Sequence, residues 1–449
     1  MKSTSQLMKR WRWLPIVVYL SLSILYLFAV PIGESPDEPS HLQCIEQVSQ
    51  LGRLPEVDPR PTGVWWSRTT VISGYLCHHL PLYYLLGGLM QQATHQVTGA
   101  SLHFEFPPSY PDGPQPVMFQ PVNKASFFSL TEPTTILVLR ILSIVLGLLT
   151  VWATYRVTMA ILPDNHITAI IASTLVAGWP QFLYLSRAIN NDALATALAM
   201  IALVIILPVG QPRRLIIATL TACTAILAKI NMVFILGVIA VAYMIEGAAW
   251  HDRRPAYLRS STVSILITTG LVGLIALQPT LRQHAVSDLF AFNAPNPAAF
   301  TASYWLQWLS LTFSSGYARF GWMNVPAPDW QIIMWWLLIG LTGIIGAITL
   351  ARTARERPDI IRLILIGVWV LAVLAAYVKL NFNRFQPQFR FMLATLPVLS
   401  ALSAIGYTRW ISSTRYHQLV LIGPTLGLVI VNCWIVFELL VPTYFLTSH

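Results

Sequence analysis

The sequence predicts an all-α polytopic membrane protein with about eleven transmembrane helices, and two observations carry that prediction. Hydrophobic residues make up 55% of the 449 residues and charged residues only 10%, with a mean hydropathy of +0.61. A soluble domain carries about 25% charged residues, so this composition excludes an ordinary soluble protein. Apolar runs of about 20 residues also recur along the chain, and each is long enough to span a bilayer as a helix.

The apolar runs extend from the first residues of the chain to the last. They fall at 13–31, 134–161, 166–187, 191–209, 214–230, 232–249, 260–279, 330–351, 361–380, 390–408 and 418–441. The first follows a short basic stretch, as the core of a secretion signal would, but no small-x-small cleavage site lies near Ala29. We therefore expect it to remain as a transmembrane helix. A weaker run at 81–98 becomes polar midway and predicts an interfacial or re-entrant helix.

The distribution of basic residues tests this topology. If 81–98 does not span, the basic stretches fall on one side, which the positive-inside rule identifies as cytoplasmic. These stretches are the N-terminus, 210–214, 251–259, 352–362 and 409–416. The N-terminus is then cytoplasmic and the C-terminus extracytoplasmic. The same loops account for the net charge of +10, and no basic run with interleaved aromatic residues indicates nucleic-acid binding.

Two long loops, 32–133 and 280–329, are predicted on the outer side. The first has about a hundred residues, is rich in proline and aromatic residues, and is expected to hold only a few short helices, some at the membrane interface. Loops of that length usually have a function. We expect residues 1–449 to form one transmembrane domain, without a soluble C-terminal domain. Cys44 and Cys77 both lie in the first loop and could pair in an oxidising compartment, although their spacing alone does not show that they approach each other.

Polar and charged residues gather at the predicted outer ends of the helices. Taken singly, each has an ordinary explanation: basic side chains snorkel to headgroups, Asp192 could cap a helix, and histidines are common at interfaces. Several such groups at one membrane level need partners or a ligand, because isolated charges there are costly. The group comprises Asp37, Glu38, His78, His79, Asp192, Lys229, Arg384 and Arg390.

Such a cluster suits transfer from a lipid-linked phosphate donor. Lysine and arginine bind phosphate, arginine through paired hydrogen bonds, and a carboxylate can accept the proton of an attacking hydroxyl. The adjacent Asp37 and Glu38 could instead bind a divalent cation, which prefers oxygen ligands, so metal dependence and a divalent cofactor stay open. The sequence contains no zinc-ligand spacing, no phosphate-binding glycine loop with Lys-Ser/Thr, and no Gly-x-Ser-x-Gly nucleophile motif.

At these residues the chain resembles the class C (GT-C) integral-membrane glycosyltransferases, which include the protein O-mannosyltransferases and the lipid A aminoarabinose transferase. The shared pattern is a first helix followed by "PDEPSHL", then "HHLPLYYLL", and an Asn-Asp element in "INNDALA". A poorly characterised bacterial branch of predicted membrane proteins is the most similar group. It is matched by "PDEPSH" (36–41), "FGW" (320–322) and "QFRFMLATLP" (388–397) in the expected order over most of the chain.

The resemblance implies roles for three acidic residues. Asp37 would be the base that activates the acceptor, and Glu38 beside it would orient the acceptor or bind a metal ion. Asp192 would match the second acidic position, close to the acceptor or to its activating network.

The resemblance also implies substrate-binding residues. His79 would match the histidine of the His-Pro-Pro-Leu element, which here reads HLPL, and Arg390 would match the late arginine as a phosphate ligand. The late element often begins Gln-Gly-Arg-Tyr but reads QFRF here. Lys229 and Arg384 are assigned to substrate binding from topology alone.

The resemblance implies an inverting glycosyltransferase of the bacterial inner (plasma) membrane. It would move a sugar from a polyprenyl phosphate to an acceptor hydroxyl at the extracytoplasmic face, with the lipid-linked sugar and membrane lipids as its partners. The alternative is a non-catalytic subunit that keeps the same fold and packs against membrane-protein partners in a larger complex. A transporter is disfavoured, because the charged residues are predicted at the outer edge rather than near the middle of the membrane.

Overall fold

The structure is a computed structural model and describes residues 11–55, 75–100, 134–290, 295–411 and 417–446. Within those ranges the regular structure is helical apart from one short hairpin. In chain order the α-helices are α1 (Leu14–Ala29), α2 (Glu38–Leu51), α3 (Leu82–Thr98), α4 (Thr134–Ile161), α5 (His166–Ala177), α6 (Pro180–Ser186), α7 (Asn191–Ile206), α8 (Pro212–Ala228), α9 (Phe234–Ala249), α10 (Arg254–Leu277), α11 (Pro279–Phe290), α12 (Ala302–Tyr317), α13 (Asp329–Thr353), α14 (Arg357–Asn383), α15 (Leu396–Trp410) and α16 (His417–Trp434).

Shorter helical segments complete the described chain. The 3₁₀ turns are Tyr75–His78, Ile230–Val233, His251–Arg253, Pro297–Phe300 and Phe389–Thr395, and π-helical turns at Ile435–Leu440 and Pro442–Leu446 extend α16.

Among the described residues, seven helices are long and apolar enough to cross a membrane, and they contain α4, α9, α10, α13, α14, α15 and α16. The pair α5 and α6 would make an eighth span, although the two are bent by 63°. The predicted all-helical, multi-pass membrane protein is therefore confirmed. Each of the other predicted spans also falls on a helix, but α1 and α7 have 16 residues and α8 has 17. The count of eleven stays a prediction.

The bend between α5 and α6 comes from local sequence. Pro180 begins α6, and because proline cannot donate a backbone hydrogen bond and restricts the residue before it, the helix stops at Ala177 and restarts after an extended Trp179. The Trp179 indole donates to the carbonyl of Gly316 at 2.5 Å, which fixes the break against α12. The bend directs the end of α6 toward the loop after α1.

At the centre of the bundle, α4 packs on α5, α7 and α15, and α5 packs on α15. The sequence of α7 is rich in alanine, and its alanines are almost completely buried against the neighbouring helices. Small residues let helices approach closely in a membrane, where packing rather than hydrophobicity holds them together.

The most extensive helix contact joins α13 and α15 and depends on two glycines. A Cβ on Gly346 would lie 1.9 Å from the Leu402 carbonyl oxygen, and one on Gly406 would lie 1.9 Å from the Thr342 carbonyl oxygen. Both obstructions are backbone atoms, so the two helices touch main chain to main chain at this crossing.

The described part of the predicted first outer loop contains two helices, α2 and α3. Helix α3 coincides with the weaker apolar run at 81–98, where the sequence predicted a helix. The two helices pack together, with the side chains of Ile45 and Val48 against Gly87 and Gly88. A disulfide joins Cys44 on α2 to Cys77 in the 3₁₀ turn before α3, so the pairing left open by the sequence is present. Within the described chain, α3 is not among the helices apolar enough to span.

The second outer loop ends in a two-stranded antiparallel hairpin of β1 (Arg319–Phe320) and β2 (Val325–Pro326). The turn uses two left-handed residues, Gly321 with φ 61° and Met323 with φ 73°. This hairpin contains the FGW element of the sequence and contacts the loop that follows α1.

Candidate active site

The site begins in the segment between α1 and α2. Contacts with the β1–β2 hairpin and with α6 hold this segment in place. The Trp322 indole N–H donates to the carbonyl of Gly33 at 3.1 Å. The Tyr184 hydroxyl lies 2.7 Å from the Glu34 carbonyl oxygen and 3.2 Å from that of Gly321. The segment ends at Asp37, whose backbone is left-handed with φ 66°, an unusual conformation for a residue other than glycine. The hairpin and α6 therefore fix the backbone immediately before the two adjacent carboxylates.

Glu38 is turned inward and fully buried. Its carboxylate accepts hydrogen bonds from Arg140 Nε at 3.0 Å and Nη2 at 3.0 Å. It also accepts from the backbone N–H groups of Gly33 at 3.0 Å and Ile189 at 3.1 Å. Burial raises the pKa of Glu38, but the guanidinium groups of Arg140 and Arg187 outweigh it, and the pKa is lowered overall. Both carboxylate oxygens are thus occupied by protein donors.

The two arginines that face Glu38 also bind the carbonyls around the helix exit. Arg140 donates to the carbonyls of Val30 and Pro31, and Arg187 donates to that of Val30 and to the Ser35 hydroxyl. Neither arginine was among the site residues predicted from the sequence. Arg140 carried a usable signal, because an arginine inside a predicted span needs a buried partner.

Four predicted site residues form one chain of ion pairs. Arg390 Nη2 lies 2.6 Å from Asp37 Oδ2, and Arg390 Nη1 lies 3.9 Å from Asp192 Oδ2. The Lys229 ammonium donates to the other oxygen of Asp192. The expected convergence of Asp37, Asp192, Lys229 and Arg390 is therefore observed, although they come from the residue before α2, from α7, from the end of α8 and from the 3₁₀ turn before α15.

Asp192 lies in the first turn of α7 but does not cap that helix. Asn190 is the N-cap, and its side-chain oxygen accepts from the backbone N–H of Ala193 at 3.1 Å. The capping explanation for Asp192 is thus unnecessary, and its carboxylate is left to the two cations. The Phe391 ring lies under both, with its centroid 5.1 Å from Lys229 Nζ and 5.0 Å from Arg390 Cζ.

The Asp37 carboxylate remains partly accessible, with 16% of its side-chain surface exposed. Burial raises the pKa of Asp37, but the charge and hydrogen bond of Arg390, with a smaller effect from Arg384, lower it to about 2. Arg384 therefore acts on the site through its field on Asp37. The structure thus separates the adjacent carboxylates: Asp37 faces the ion-pair chain, and Glu38 faces away from it into the protein.

Histidines border the site on the side of the first outer loop. His41 Nδ1 lies 2.9 Å from the Tyr84 hydroxyl, and its ring centroid is 6.4 Å from that of His79. His79 also contacts His78, with 4.3 Å between ring centroids. Burial lowers the pKa of His41, and His79 lowers it further, so that it falls to about 3 despite the opposing charge of Asp37. His41 was in the quoted PDEPSH motif, but the sequence analysis gave it no role.

A small cavity of about 30 Å³ adjoins the ion pairs. One wall holds Asp192, Lys229 and Arg390, and the opposite wall is the apolar face of α14 around Val373 and Tyr377. Within the described residues, no group of three or more His, Cys, Asp or Glu side chains comes together to hold a metal ion. Since Asp37 and Glu38 point to different partners, the pair does not present the converging oxygens that a divalent cation needs.

Comparison with known proteins gives one family match and several structural relatives. The family model described as dolichyl-phosphate-mannose-protein mannosyltransferase matches residues 118–278. A comparison with curated protein sequences finds no significant relative.

The fold is similar to those of known membrane glycosyltransferases. The apo oligosaccharyltransferase of Archaeoglobus fulgidus superposes with a TM-score of 0.50 at 15% identity, over 97% of this chain and 55% of that chain. ArnT from Cupriavidus metallidurans bound to undecaprenyl phosphate gives a TM-score of 0.53 at 12% identity, over 95% of this chain and 73% of that one. Apo ArnT gives 0.52 at 11% identity. The chain spans just over half the length of the archaeal enzyme. The structural comparisons show a fold of the GT-C glycosyltransferase kind, and the family match covers residues 118–278, a little over a third of this multi-pass chain.

Proposed function

We propose that this protein transfers a sugar from a polyprenyl phosphate to an acceptor hydroxyl at the extracytoplasmic face of the bacterial inner membrane. The observation that carries the proposal is the ion-pair chain Asp37–Arg390–Asp192–Lys229. It combines two cations suited to a phosphate with a partly exposed carboxylate suited to a hydroxyl. A neighbour in fold, ArnT, has been solved with undecaprenyl phosphate, which is consistent with this donor class.

The donor phosphate would bind Arg390 and Lys229, with Arg384 adding to the positive field. In the structure these cations are neutralised by Asp37 and Asp192, so a phosphate must compete with the carboxylates for them. The side chains of α14 that line the 30 Å³ cavity, Val373 and Leu380 among them, would receive the start of the isoprenoid chain. Binding of a donor requires this cavity to widen, because its present volume is about that of one water molecule.

A phosphate that displaces the Asp37 carboxylate from Arg390 would also make Asp37 a better base. Arg390 lowers the pKa of Asp37 most among the charges around it, and a phosphate on Arg390 would weaken that effect and raise the pKa toward its usual value. The freed Asp37 would remain ionised at neutral pH and take the proton of the acceptor hydroxyl. The hydroxyl oxygen then bonds to the anomeric carbon as the bond to the phosphate oxygen breaks, and polyprenyl phosphate leaves. A single displacement inverts the anomeric centre.

Glu38 fits a positioning role better than direct contact with the acceptor. Its four hydrogen bonds come from Arg140, Gly33 and Ile189, which set the backbone on which Asp37 stands. His79 would act on the acceptor side through its neighbour His41.

The test separates donor binding from chemistry. Purified wild-type protein should bind undecaprenyl phosphate and release it from one of a panel of undecaprenyl-phosphate sugars. Asp37→Asn should keep or tighten binding, because a carboxylate that competes for Arg390 is removed, yet lower turnover about 100-fold or more. Arg390→Gln should weaken binding about 30-fold, the loss of one charge-assisted hydrogen-bond pair. Asp329→Asn, an exposed carboxylate at the start of α13, is the matched control.

Each outcome addresses one part of the proposal. Wild-type turnover by Asp37→Asn would remove Asp37 as the base, and unchanged lipid binding by Arg390→Gln would remove the phosphate assignment. Failure of the wild type to bind undecaprenyl phosphate, together with stable co-purification in a membrane complex, would favour the non-catalytic subunit instead.

A further inference from the structure

A much larger cavity lies between α9 and α10, with one side on α8. Its volume is about 670 Å³. Its lining follows α10 from Arg254 to Thr269, and at 1.5 Å per residue this is about 22 Å of helix. Half of the hydrocarbon core of a bilayer is about 15 Å. The groove is therefore long enough to cross one whole leaflet.

The groove exists because α10 is sparsely packed. Of its 24 residues only Tyr257, Ser260 and Ser264 are buried, and they face α8 and α9. On the facing side of the groove, α9 presents the small residues Gly247 and Ala248. The gap between the helices is thus open to lipid along its length.

The interior walls leave few free polar groups for a water-soluble ligand. The Ser264 hydroxyl lies 2.9 Å from the Thr219 hydroxyl and 2.9 Å from that of Tyr243, and Thr268 donates to the Ser264 carbonyl. These hydroxyls satisfy one another, the Tyr257 hydroxyl donates to Glu246, and that of Ser261 donates to the Leu258 carbonyl. The other side chains away from the mouth are mostly apolar, with Leu236 and Ile265 among them. The depth of the groove therefore suits a hydrocarbon chain.

One end of the groove is cationic. His251 and Arg254 line the mouth and are both exposed, and Arg254 makes no ion pair with any residue that the structure describes. The neighbouring Asp252 is paired with Arg253 at 3.7 Å, so it does not neutralise Arg254. The positive-inside rule assigns this end to the cytoplasmic surface, where anionic headgroups are abundant.

We propose that this groove binds one anionic phospholipid of the cytoplasmic leaflet, with its phosphate at Arg254 and His251 and an acyl chain between α9 and α10. We infer a phospholipid because the length of the groove matches the thickness of one leaflet, and an anionic one because the positive charge of Arg254 at the mouth has no counter-ion among the described residues. This site is separate from the donor site and does not depend on the proposed transfer reaction.

Two pairs of variants of the full-length protein test the site. Delipidated protein is titrated with phosphatidylglycerol or phosphatidylcholine, and bound lipid is counted by native mass spectrometry. Wild type should retain one phosphatidylglycerol in preference to phosphatidylcholine. Arg254→Gln should weaken that binding about fivefold, the effect of one arginine at a membrane surface. Arg259→Gln is the control, because five positions along α10 turn that side chain about 140° away.

The second pair tests the acyl chain. Ser261→Trp should fill the groove and abolish retention, whereas Thr262→Trp, an exposed neighbour outside the lining, should leave it unchanged. Ser261→Leu provides a milder filling if the tryptophan variant does not fold. Equal retention of the two lipids, or equal losses in the control variants, would overturn the proposal and identify the bound lipid as ordinary annular lipid.

Discussion

At the scale of single residues, Asp37 and Glu38 acquire opposite surroundings although they are adjacent in the sequence. The left-handed backbone of Asp37 turns its carboxylate toward Arg390, while α2 begins at Glu38 and directs the next side chain toward Arg140. One carboxylate is partly exposed within a chain of exchangeable ion pairs. The other is enclosed by four donors, and the difference predicts different consequences of mutation.

Glu38→Gln should lower stability, because it leaves the buried Arg140 without its counter-ion. Breaking a buried pair in this way costs about 3 kcal/mol or more. Asp37→Asn should change the thermal unfolding midpoint much less, since its carboxylate is partly exposed and Arg390 keeps Asp192. The check is thermal unfolding of the purified proteins, with Glu38→Leu/Arg140→Met expected to recover part of the loss. An unaltered midpoint for Glu38→Gln with lost turnover would make Glu38 a participant in the chemistry.

His41 should make stability depend on pH. The folded protein keeps this histidine neutral, with its pKa lowered to about 3, whereas a free imidazole has a pKa of about 6.5. Between these values the unfolded chain binds the extra proton, so stability falls as pH decreases below about 6.5, by up to about 1.4 kcal/mol per pH unit.

The stability advantage of wild type over His41→Gln should therefore shrink between pH 7 and pH 5. Unfolding midpoints measured at three pH values check this, with the exposed His95→Gln as control. Parallel pH profiles for wild type and His41→Gln would contradict the assignment.

From the sequence it was possible to predict that four site residues lie close together, but not which of them form ion pairs with each other. Charges at helix ends on one predicted face indicate a shared location, and Asp37, Asp192, Lys229 and Arg390 do meet. Which carboxylate faces which cation depends on backbone dihedrals and helix rotation, and neither is encoded in spacing. The sequence therefore grouped Glu38 with Asp37, because nothing local reveals the turn between them.

At the scale of elements, the positions of the helices around the candidate site depend on where a helix is interrupted and on which elements pack against each other. Pro180 bends one predicted span into α5 and α6, which brings Tyr184 and Arg187 to the loop before Asp37. Hydropathy identified 166–187 as one apolar run and could not locate this bend, since a proline can either kink or end a helix. The FGW hairpin was likewise recognised as a motif, but its contact with Gly33 is a tertiary interaction.

The α13–α15 crossing gives a prediction at this scale. Gly406→Ala should destabilise the protein by about 3 kcal/mol, because its Cβ meets the Thr342 carbonyl and the helices must separate. Gly340→Ala on α13 is the control: nothing lies within 4 Å of its Cβ, and alanine favours the helix. Thermal unfolding compares the two. Equal midpoints for Gly406→Ala and wild type would show that the crossing tolerates a wider separation.

At the scale of the whole molecule, composition was enough to predict the class of fold. Low charge content and recurring apolar runs predict a polytopic helical bundle, which the structure confirms, together with the GT-C fold. The number of spans is less determined, because α1, α7 and α8 are shorter than a straight crossing requires. The side of the membrane that each loop faces is still predicted from the positive-inside rule alone.

The native cysteines provide a test of that orientation. If the loop holding Cys44 and Cys77 faces the oxidising side, protein from wild-type bacteria should carry the disulfide. Under denaturing conditions a thiol-reactive mass tag should then label only the free cysteines, Cys223 and Cys433, and label all four after reduction. Four tags without reductant would place the loop in the reducing cytoplasm and reverse the topology. A strain without periplasmic thiol oxidation is the control, and it should lose the protection.

The crossing of α13 and α15 also has a genetic consequence. Every missense change of a glycine codon supplies a Cβ, so at positions 346 and 406 no amino-acid replacement avoids the carbonyl of the opposite helix. An added Cβ on Gly340 of α13 or on Gly367 of α14 has nothing within 4 Å, and these positions carry no such restriction. Any allele that replaces one of them must therefore separate the two helices, and the same separation would make room for a side chain at the other.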